Sequence, residues 1–468
     1  MSKICAPVDS NFGTIASNYN RYLRRPDGKY IYHDSIPHLV HIEMIYACNT
    51  SCLGCYNPIR SKLGDLTIID EIVRAVANSQ IPHVYLIGGE PSLVTEEKLN
   101  WYIELLAPHS SVTIVTNGIK CLKSISPRLA CFGVPLHGDN AATHEFFNRY
   151  PGSFQIAQET IRYYVSQGHD VRCIPVLTGY NHDQIYNICK LAVKLGMESV
   201  FVDRFEDGGI GASFSGEYQL KPTLQQFQIA VGQMLKARED FQKLGDRVGF
   251  GTAVPFCLDE RMILAGMTAD CGVGSSFVAI NPAGEVRMCN QSQLVFGNVL
   301  EEPLEVIWNK PVMDIFRDLS WVDEPCASCE LLLECTGGCK VDVNHSDKFC
   351  IDYSVRKMPG LTPSMAEKLR GCELTNSYPL AYRRIKPNYY TKLILRHPEK
   401  FLVTRYQTIK LDEAALLIMQ EILKETVFDE DDLVRRFEAM VEEKEIRLFV
   451  SRLLQVQAVD LVGGAENG

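Results

Sequence analysis

Residues 38–55 read HLVHIEMIYACNTSCLGC, an apolar run of strand character that ends on three cysteines, Cys48, Cys52 and Cys55, separated by three and then two residues. A strand buried on both faces reads as such a run, and the thiols follow directly on its C-terminal end. Outward from this stretch, comparable runs recur: HVYLIGG, SVTIVTN, LACFGVPLHG, DVRCIPVLT and ESVFVDRF. Helix-like stretches such as IIDEIVRAVANS and QIYNICKLAVKLG lie between them. Strands alternating with helices predict parallel βαβ units and an α/β fold. Six units fit a partial barrel or a doubly wound sheet, and both gather ligands at the C-terminal strand ends. Thiolates placed there are soft ligands suited to iron–sulfur clusters. Three of them hold three irons of a cubane and leave the fourth iron open. Zinc would want a fourth ligand nearby, and His41, within the strand, is a poor one.

The chain has 468 residues, more than one ordinary domain. Hydrophobic residues make up 46% and charged residues 22%, a common globular balance. A net charge of -10 argues against a nucleic-acid partner. The N-terminus MSKICAPVDS has no apolar signal region, and no apolar run is long enough to span a bilayer. No membrane partner is expected, and the expected location is cytoplasmic. In that reducing compartment, seventeen cysteines imply metal or redox chemistry rather than disulfides. Seven of them fall between Cys271 and Cys350, which suggests a second metal-bearing region. Cys5, Cys121, Cys131, Cys173, Cys189 and Cys372 read as packing thiols.

The expected organisation is an N-terminal extension (1–37), a barrel (38–205), a connector (206–255), a cysteine-rich domain (256–374) and a small C-terminal domain (375–468). In the cysteine-rich part, metal takes the place of a hydrophobic core. In the last part, TKLILR, KFLVT and TIKL read as short strands. DEAALLIMQEILK, DEDDLVRRFEAM and EKEIRLFVSRLLQVQ read as amphipathic helices, giving a winged-helix-like order. The helices are rich in acid, including Asp429, Glu430, Asp431, Asp432, Glu438, Glu442 and Glu443, whereas a DNA recognition helix should be basic.

Two further motifs sit at successive strand ends: Gly88-Gly89-Glu90-Pro91 after the second strand and Thr116-Asn117-Gly118 after the third. Each alone is a turn signal. Together with the cysteine spacing, they resemble the radical S-adenosylmethionine superfamily. The resemblance implies a partial (βα)6 barrel with a catalytic [4Fe–4S] cluster on Cys48, Cys52 and Cys55. It also implies S-adenosylmethionine held by Gly88, Gly89, Glu90 and Pro91 at its methionyl amino group, and by Thr116 and Asn117 at its ribose. Gly54 stands where the family often carries an aromatic near the adenine, and Tyr56 is the candidate substitute. The implied chemistry is reductive cleavage to a 5′-deoxyadenosyl radical, which abstracts a hydrogen from substrate.

Cys271-x12-Gly284-x4-Cys289, then Cys326-x2-Cys329-x5-Cys335-x3-Cys339, then Cys350, resembles the SPASM domain of radical enzymes. A pair of zinc ribbons is the plainer alternative. The resemblance implies two auxiliary [4Fe–4S] clusters, three clusters in all. Cys271, Cys289 and Cys339 would hold the first, with Cys257 as candidate fourth ligand or else one open iron. Cys326, Cys329, Cys335 and Cys350 would hold the second. The stretch FLVTRYQTIKLDEAALLIMQEIL is similar to the peptide-recognition element of ribosomal-peptide (RiPP) pathways. That similarity implies a leader peptide added to the strand TIKL, against a helix around Ile446, Phe449 and Leu453. The expected function is thus a radical peptide maturase, an oxidoreductase or lyase. It would bind the leader of a ribosomally made precursor and form cross-links or edit the backbone at a tyrosine, with flavodoxin or ferredoxin as electron donor. The alternatives are an anaerobic sulfatase maturase that forms formylglycine and, outside enzymes, an iron–sulfur or zinc regulator. His137, Asp139, Asp203 and Arg204 are strand-end positions that could face the cofactor or substrate, but each reads more readily as an ion pair or loop polar group.

Overall fold

The computed structural model describes residues 33–462 apart from 58, 63, 207–215, 268–270, 320–321, 330 and 342–382. β1 (Leu39–Glu43), β2 (His83–Ile87), β3 (Ser111–Val115), β4 (Cys131–Val134), β5 (Val171–Cys173) and, after the short β6 (Val176–Leu177), β7 (Ser199–Arg204) are the runs expected from sequence. Apart from β6 they lie side by side and parallel in that order. The fifth run is split because Pro175 has no N–H to give a ladder; β6 resumes the pairing on β7.

Helices α1 (Leu66–Asn78), α2 (Glu96–Leu106), α3 (Ala141–Asn148), α4 (Ser153–Ser166) and α5 (Ile185–Leu195) alternate with the strands. α1 shows the local logic. Asp65 caps it by accepting from Thr67 N at 2.9 Å, and Ile69, Ile72, Val73 and Val76 recur at helical spacing and are buried. They meet one face of the sheet, which includes Val40, Ile42, Val84 and Leu86. The alternate strand positions face the other way and include polar side chains. There His41 stacks on Tyr85 at 5.0 Å between ring centroids, and Arg172 Nη1 donates to the Tyr85 hydroxyl at 2.9 Å.

The sheet runs beyond six strands on both sides. The stretch expected as a connector contributes α6 (Leu224–Asp240), packed on α5, and β8 (Val248–Phe250), parallel to β7. On the other side β9 (Phe277–Ile280) adds parallel to β1, followed by the antiparallel β10 (Glu285–Arg287) and β11 (Val295–Asn298). The cysteine-rich region is thereby built onto the barrel's first strand.

The C-terminal domain holds two small sheets. One consists of β12 (Arg384–Pro387) with strands named below, and the other of β13 (Lys392–Arg396), β14 (Glu399–Val403) and β15 (Thr408–Lys410) in that order. The helices α7 (Glu413–Ile422), α8 (Glu430–Phe437) and α9 (Glu443–Gln455) follow, and β16 (Phe428–Asp429) and β17 (Val459–Leu461) flank β12. Ile446, Phe449 and Leu453, which the resemblance set beside a leader groove and which also read as an ordinary core stripe, are core: they are buried with Leu402, Ile409 and Met419. The helix stripe that suggested a groove is the stripe that closes the domain.

The opposite face of the β13–β15 sheet, with Ile394, Phe401 and Val403, is also buried. It lies on the barrel. The Phe401 ring meets His38 edge-on at 5.3 Å, Lys410 pairs with Asp34 at 2.6 Å, and Ser111 Oγ donates to Arg405 O at 2.6 Å. Arg405 and Tyr406 both bond the Asp170 carboxylate. His38, Ser111 and Asp170 stand at the N-terminal ends of strands, so the C-terminal domain forms the barrel floor, away from the cysteine end. Asp170→Ala leaves the largely buried Arg405 without this carboxylate. The expected cost is about 2–3 kcal/mol of stability, below the range for a fully buried pair, read as a lower urea midpoint. An unchanged midpoint would contradict the clamp.

Candidate cluster and cofactor site

The chain leaving β1 and the chain leaving β2 run against each other. Met44 N donates to Ile87 O at 2.8 Å, Gly89 N to Ile45 O at 2.6 Å, and Glu90 N to Ala47 O at 2.8 Å. A Cβ on Gly89 would lie 1.9 Å from Ala47 O, and one on Gly88, at φ +128°, 2.7 Å from Ile45 O. The close approach these glycines permit is therefore first to the cysteine loop's own backbone. Glu90 is buried and accepts from Ser92 N at 2.9 Å, Thr116 Oγ1 at 2.6 Å and Asn117 N at 2.8 Å. Burial pushes its carboxyl up, and these bonds pull it back. Asn117 Nδ2 in turn donates to Asn49 Oδ1 at 2.6 Å, and Pro91 begins a buried turn. The three strand-end motifs are thus one hydrogen-bonded unit.

Within the loop, Thr50 Oγ1 lies 3.3 Å from Cys48 Sγ and 3.5 Å from Cys52 Sγ, and Asn57 N donates to Cys55 Sγ at 3.3 Å. Arg60 Nη2 holds Cys52 O at 2.7 Å. Burial pushes the Cys52 thiol up to about 12, with the neighbouring Cys55 and Cys48 adding to the shift. Two thiols beside one hydroxyl, with the third in the same short loop, fit a bound cation that turns them into thiolate ligands. Among the described residues, no three Cys, His, Asp or Glu side chains converge on a single-ion site. A cubane instead takes each thiolate on a separate iron.

The structure explains why position 54 departs from the family pattern. A Cβ on Gly54 would meet Phe147 Cζ at 2.6 Å and Phe205 Cε2 at 3.2 Å, while Leu53 N donates to Phe147 O at 2.8 Å. Phe147 and Phe205 fill the space that an aromatic at 54 would need. They are distant in sequence, and no spacing signal pointed to them. Tyr56, half-buried, has its hydroxyl pushed up by burial and by the nearby Glu43 and Cys55.

Of the strand-end candidates, Asp203 stands apart. Burial pushes its carboxyl up to about 7, with Arg172 opposing. A Cβ on Gly251 would lie 2.4 Å from its Oδ1. The folded state holds this proton more tightly than the unfolded chain, where the carboxyl titrates near 3.8. Its contribution to stability is therefore greatest at low pH and declines as pH rises from about 4 to about 7, by roughly 2–4 kcal/mol. Asp203→Asn is expected to flatten this decline, measured as unfolding free energy between pH 5 and 8; an identical slope in the variant would refute the shift. The others are satisfied polar groups. Arg204 pairs with Glu206 at 2.9 Å, buried His137 accepts from Val176 N at 3.3 Å, and Asp139 receives Asn187 Nδ2 at 2.8 Å.

A cluster that sequence reading missed joins the barrel to the cysteine-rich region. Arg287 pairs with Glu43, Asn290 Nδ2 donates to Glu43 Oε1 at 2.9 Å, and His41 Nδ1 lies 2.7 Å from Asn290 Oδ1. Its only signal was the alternation of His41 and Glu43 within an otherwise apolar strand. Next to Asn290, burial and then Cys271 push the Cys289 thiol up to about 12. Cys335 is also pushed up to about 12 by burial; it receives Phe256 N at 3.5 Å, and Cys257 and Cys329 add to the shift. Cys257 and Cys326 pack on the same small core with Leu319 and Val322. Cys257 thus lies near Cys335 and packs on the core that holds Cys326. The chain folds back at Pro255–Leu258, which spacing alone did not reveal. Cys339 is half-buried, and Cys350, Cys5 and Cys372 lie outside the described residues. Cys131, Cys173 and Cys189 are buried packing thiols, and Cys121 is half-buried.

Residues 42–192 match the radical SAM superfamily, and residues 271–330 match SPASM, an iron-sulfur cluster-binding domain. The chain carries a radical SAM domain followed by a SPASM domain, which imply S-adenosylmethionine and iron–sulfur clusters as its cofactors. It is similar to the PqqA peptide cyclase of Methylocella silvestris, 22% identical over 333 residues, covering 66% of this chain and 86% of the relative. It is also similar to the AdoMet-dependent heme synthase of Methanosarcina barkeri, 24% identical over 326 residues, covering 64% and 90%. Streptococcus suis SuiB bound to the precursor peptide SuiA shares the fold, with a TM-score of 0.52 at 18% identity over 69% of this chain and 76% of that one. Among the described residues, no helix is long and apolar enough to cross a membrane.

Proposed function

We propose that this chain is a radical SAM maturase of a ribosomally made precursor peptide. The leader binds the C-terminal domain, and core residues are modified at the cysteine end of the barrel, by cross-linking or by backbone editing at a tyrosine. The observation that carries this reading is the C-terminal domain itself, a mixed sheet-and-helix unit clamped to the barrel through Asp34 and Asp170. The similarity to a peptide cyclase supports it.

Cys48, Cys52 and Cys55 would hold the first of three [4Fe–4S] clusters, and Gly88 to Pro91, Thr116, Asn117 and Tyr56 border the S-adenosylmethionine beside it. Cys271, Cys289 and Cys339 would belong to one auxiliary set, with Cys257 as candidate fourth ligand, and Cys326, Cys329, Cys335 and Cys350 to the other. When bound, these groups supply hydrogen-abstracting radical chemistry. The chain's own part is placement. Glu90 ties the second and third strand ends together, Thr50 and Arg60 orient the cysteine loop, and Asp203 holds or releases a proton near neutral pH. A flavodoxin or ferredoxin is the electron donor, and the cytoplasm is the compartment that keeps seventeen cysteines reduced.

Anaerobic co-expression with candidate precursor peptides, followed by mass spectrometry, tests the reading. A cross-link removes a hydrogen pair, and excision removes a larger fragment. Modification of leaderless core peptides as efficiently as full precursors would overturn it. Surface substitutions are the proper control, because removing residues 383–462 would strip the barrel floor.

A further inference from the structure

β13 is an edge strand whose outer ladder is unfilled. It pairs only with β14 among the described residues. Lys400 O accepts from Leu411 N at 2.8 Å, so the backbone groups of Lys400 face β15. Leu395, opposite Lys400, therefore occupies a non-hydrogen-bonded pair, and its N–H and C=O point to the outer edge. The same alternation turns Leu393 outward. Neither backbone has a further partner among the described residues, and the Leu395 side chain is 55% exposed. Such an edge is a template for another strand. β15, at the far side of the sheet, is engaged by the barrel: Lys410 pairs with Asp34, and the Gln407 backbone meets His83.

A second, independent feature lies at the Lys392 end of the same strand. A cavity of about 350 Å³ is lined by Ala107, Arg128, Tyr389, Tyr390 and Lys392. Lys392 donates to the Ser110 carbonyl at 2.7 Å and meets no carboxylate among the described residues. Burial, helped by Arg128, pushes its pKa down to about 8. Arg128 has one exposed partner, Glu104, at 3.1 Å. In a chain of net charge -10 this is a cationic cavity with aromatic walls, suited to a carboxylate.

We propose that an extended segment of the precursor peptide adds as a strand to the outer edge of β13, with an acidic side chain in the cavity at Lys392 and an apolar side chain over Leu395. This deepens the peptide-maturase reading and rests on it, while moving the docking strand from TIKL to β13. Lys392 and Leu395 lie on opposite faces of the strand, so the acidic and apolar residues of the peptide must be an odd number of positions apart. Backbone bonds supply affinity, and the cavity supplies selection.

The test uses the full chain and a short fluorescein-labelled peptide of alternating Val and Thr that carries Glu and Leu three positions apart, read by fluorescence anisotropy. The wild type is expected to bind it saturably. Leu395→Pro removes an outward N–H, a change that edge strands tolerate, and should weaken binding at least about tenfold. A copy of the peptide N-methylated at its centre should lose binding to the wild type by a similar factor, whatever the fold of the variant. Lys392→Met should weaken the Glu peptide severalfold and leave a Gln copy unchanged. Absence of saturation up to about 1 mM, or equal binding by Leu395→Pro and by the methylated copy, would overturn the proposal. So would a doubled sedimentation mass abolished by Leu395→Pro, which would give the edge to a second copy of the chain. Failure of the maturase reading is a separate outcome: intact anisotropy results with no co-expressed peptide modified.

Discussion

Cys52→Ala, reconstituted anaerobically, is expected to retain about eight irons per chain in place of about twelve. Its dithionite-dependent cleavage of S-adenosylmethionine is expected to fall at least about thousandfold. The reason is local. Cys52 lies near the Thr50 hydroxyl, its carbonyl is held by Arg60, and burial makes it unstable as a free thiolate. Only a bound cation reverses that preference. With two thiols left, the proposed cubane would lose its third protein ligand and is expected not to be retained, while the proposed auxiliary sets would be untouched. Iron analysis and quantified 5′-deoxyadenosine report the two effects separately. Full iron together with undiminished cleavage would remove Cys52 from the ligand set.

The largest stability effect is expected at Gly89→Ala. Its Cβ would sit 1.9 Å from the Ala47 carbonyl oxygen, with Tyr46 O at 2.5 Å. Both obstacles are backbone in the loop that carries the cysteines, so no side chain can swing aside. The expected loss is at least about 3 kcal/mol, the upper end for overpacked sites, seen as a lower denaturation midpoint and as poor retention of iron. Gly152→Ala is the control. Unlike Gly89 it has positive φ, at +80°, but nothing lies within 4 Å of its Cβ. It should cost only about 1 kcal/mol, from backbone strain alone. Equal losses for the two variants would show that the close approach to residues 46 and 47 does not govern the Gly89 site.

The two cysteine regions and the six parallel strands were legible because each strand is a long apolar run and each motif sits at its end. What escaped was short or made by distant contacts. β8, β9, β12, β16 and β17 span two to four residues, too few to show a period. The split of the fifth run was readable in Pro175, yet the run passed as one strand. The three strand-end motifs were each visible, but not the bonds from Glu90 to Thr116 and from Asn117 to Asn49 that join them. Spacing gave no sign that Cys257 approaches Cys335. The apolar stripe of α9 suggested contact with a peptide and turned out to be core, since the same period serves both purposes. The floor contacts of Asp170 gave no sequence signal, because Arg405 and Tyr406 lie more than two hundred residues away.

The most direct measurement is anaerobic reconstitution of the full chain, with iron and zinc counted and S-adenosylmethionine cleavage followed under dithionite. The proposed three-cluster enzyme is expected to hold about twelve irons per chain, and to form methionine and 5′-deoxyadenosine in equal amounts. Stoichiometric zinc in place of iron, with S-adenosylmethionine left intact, would contradict it.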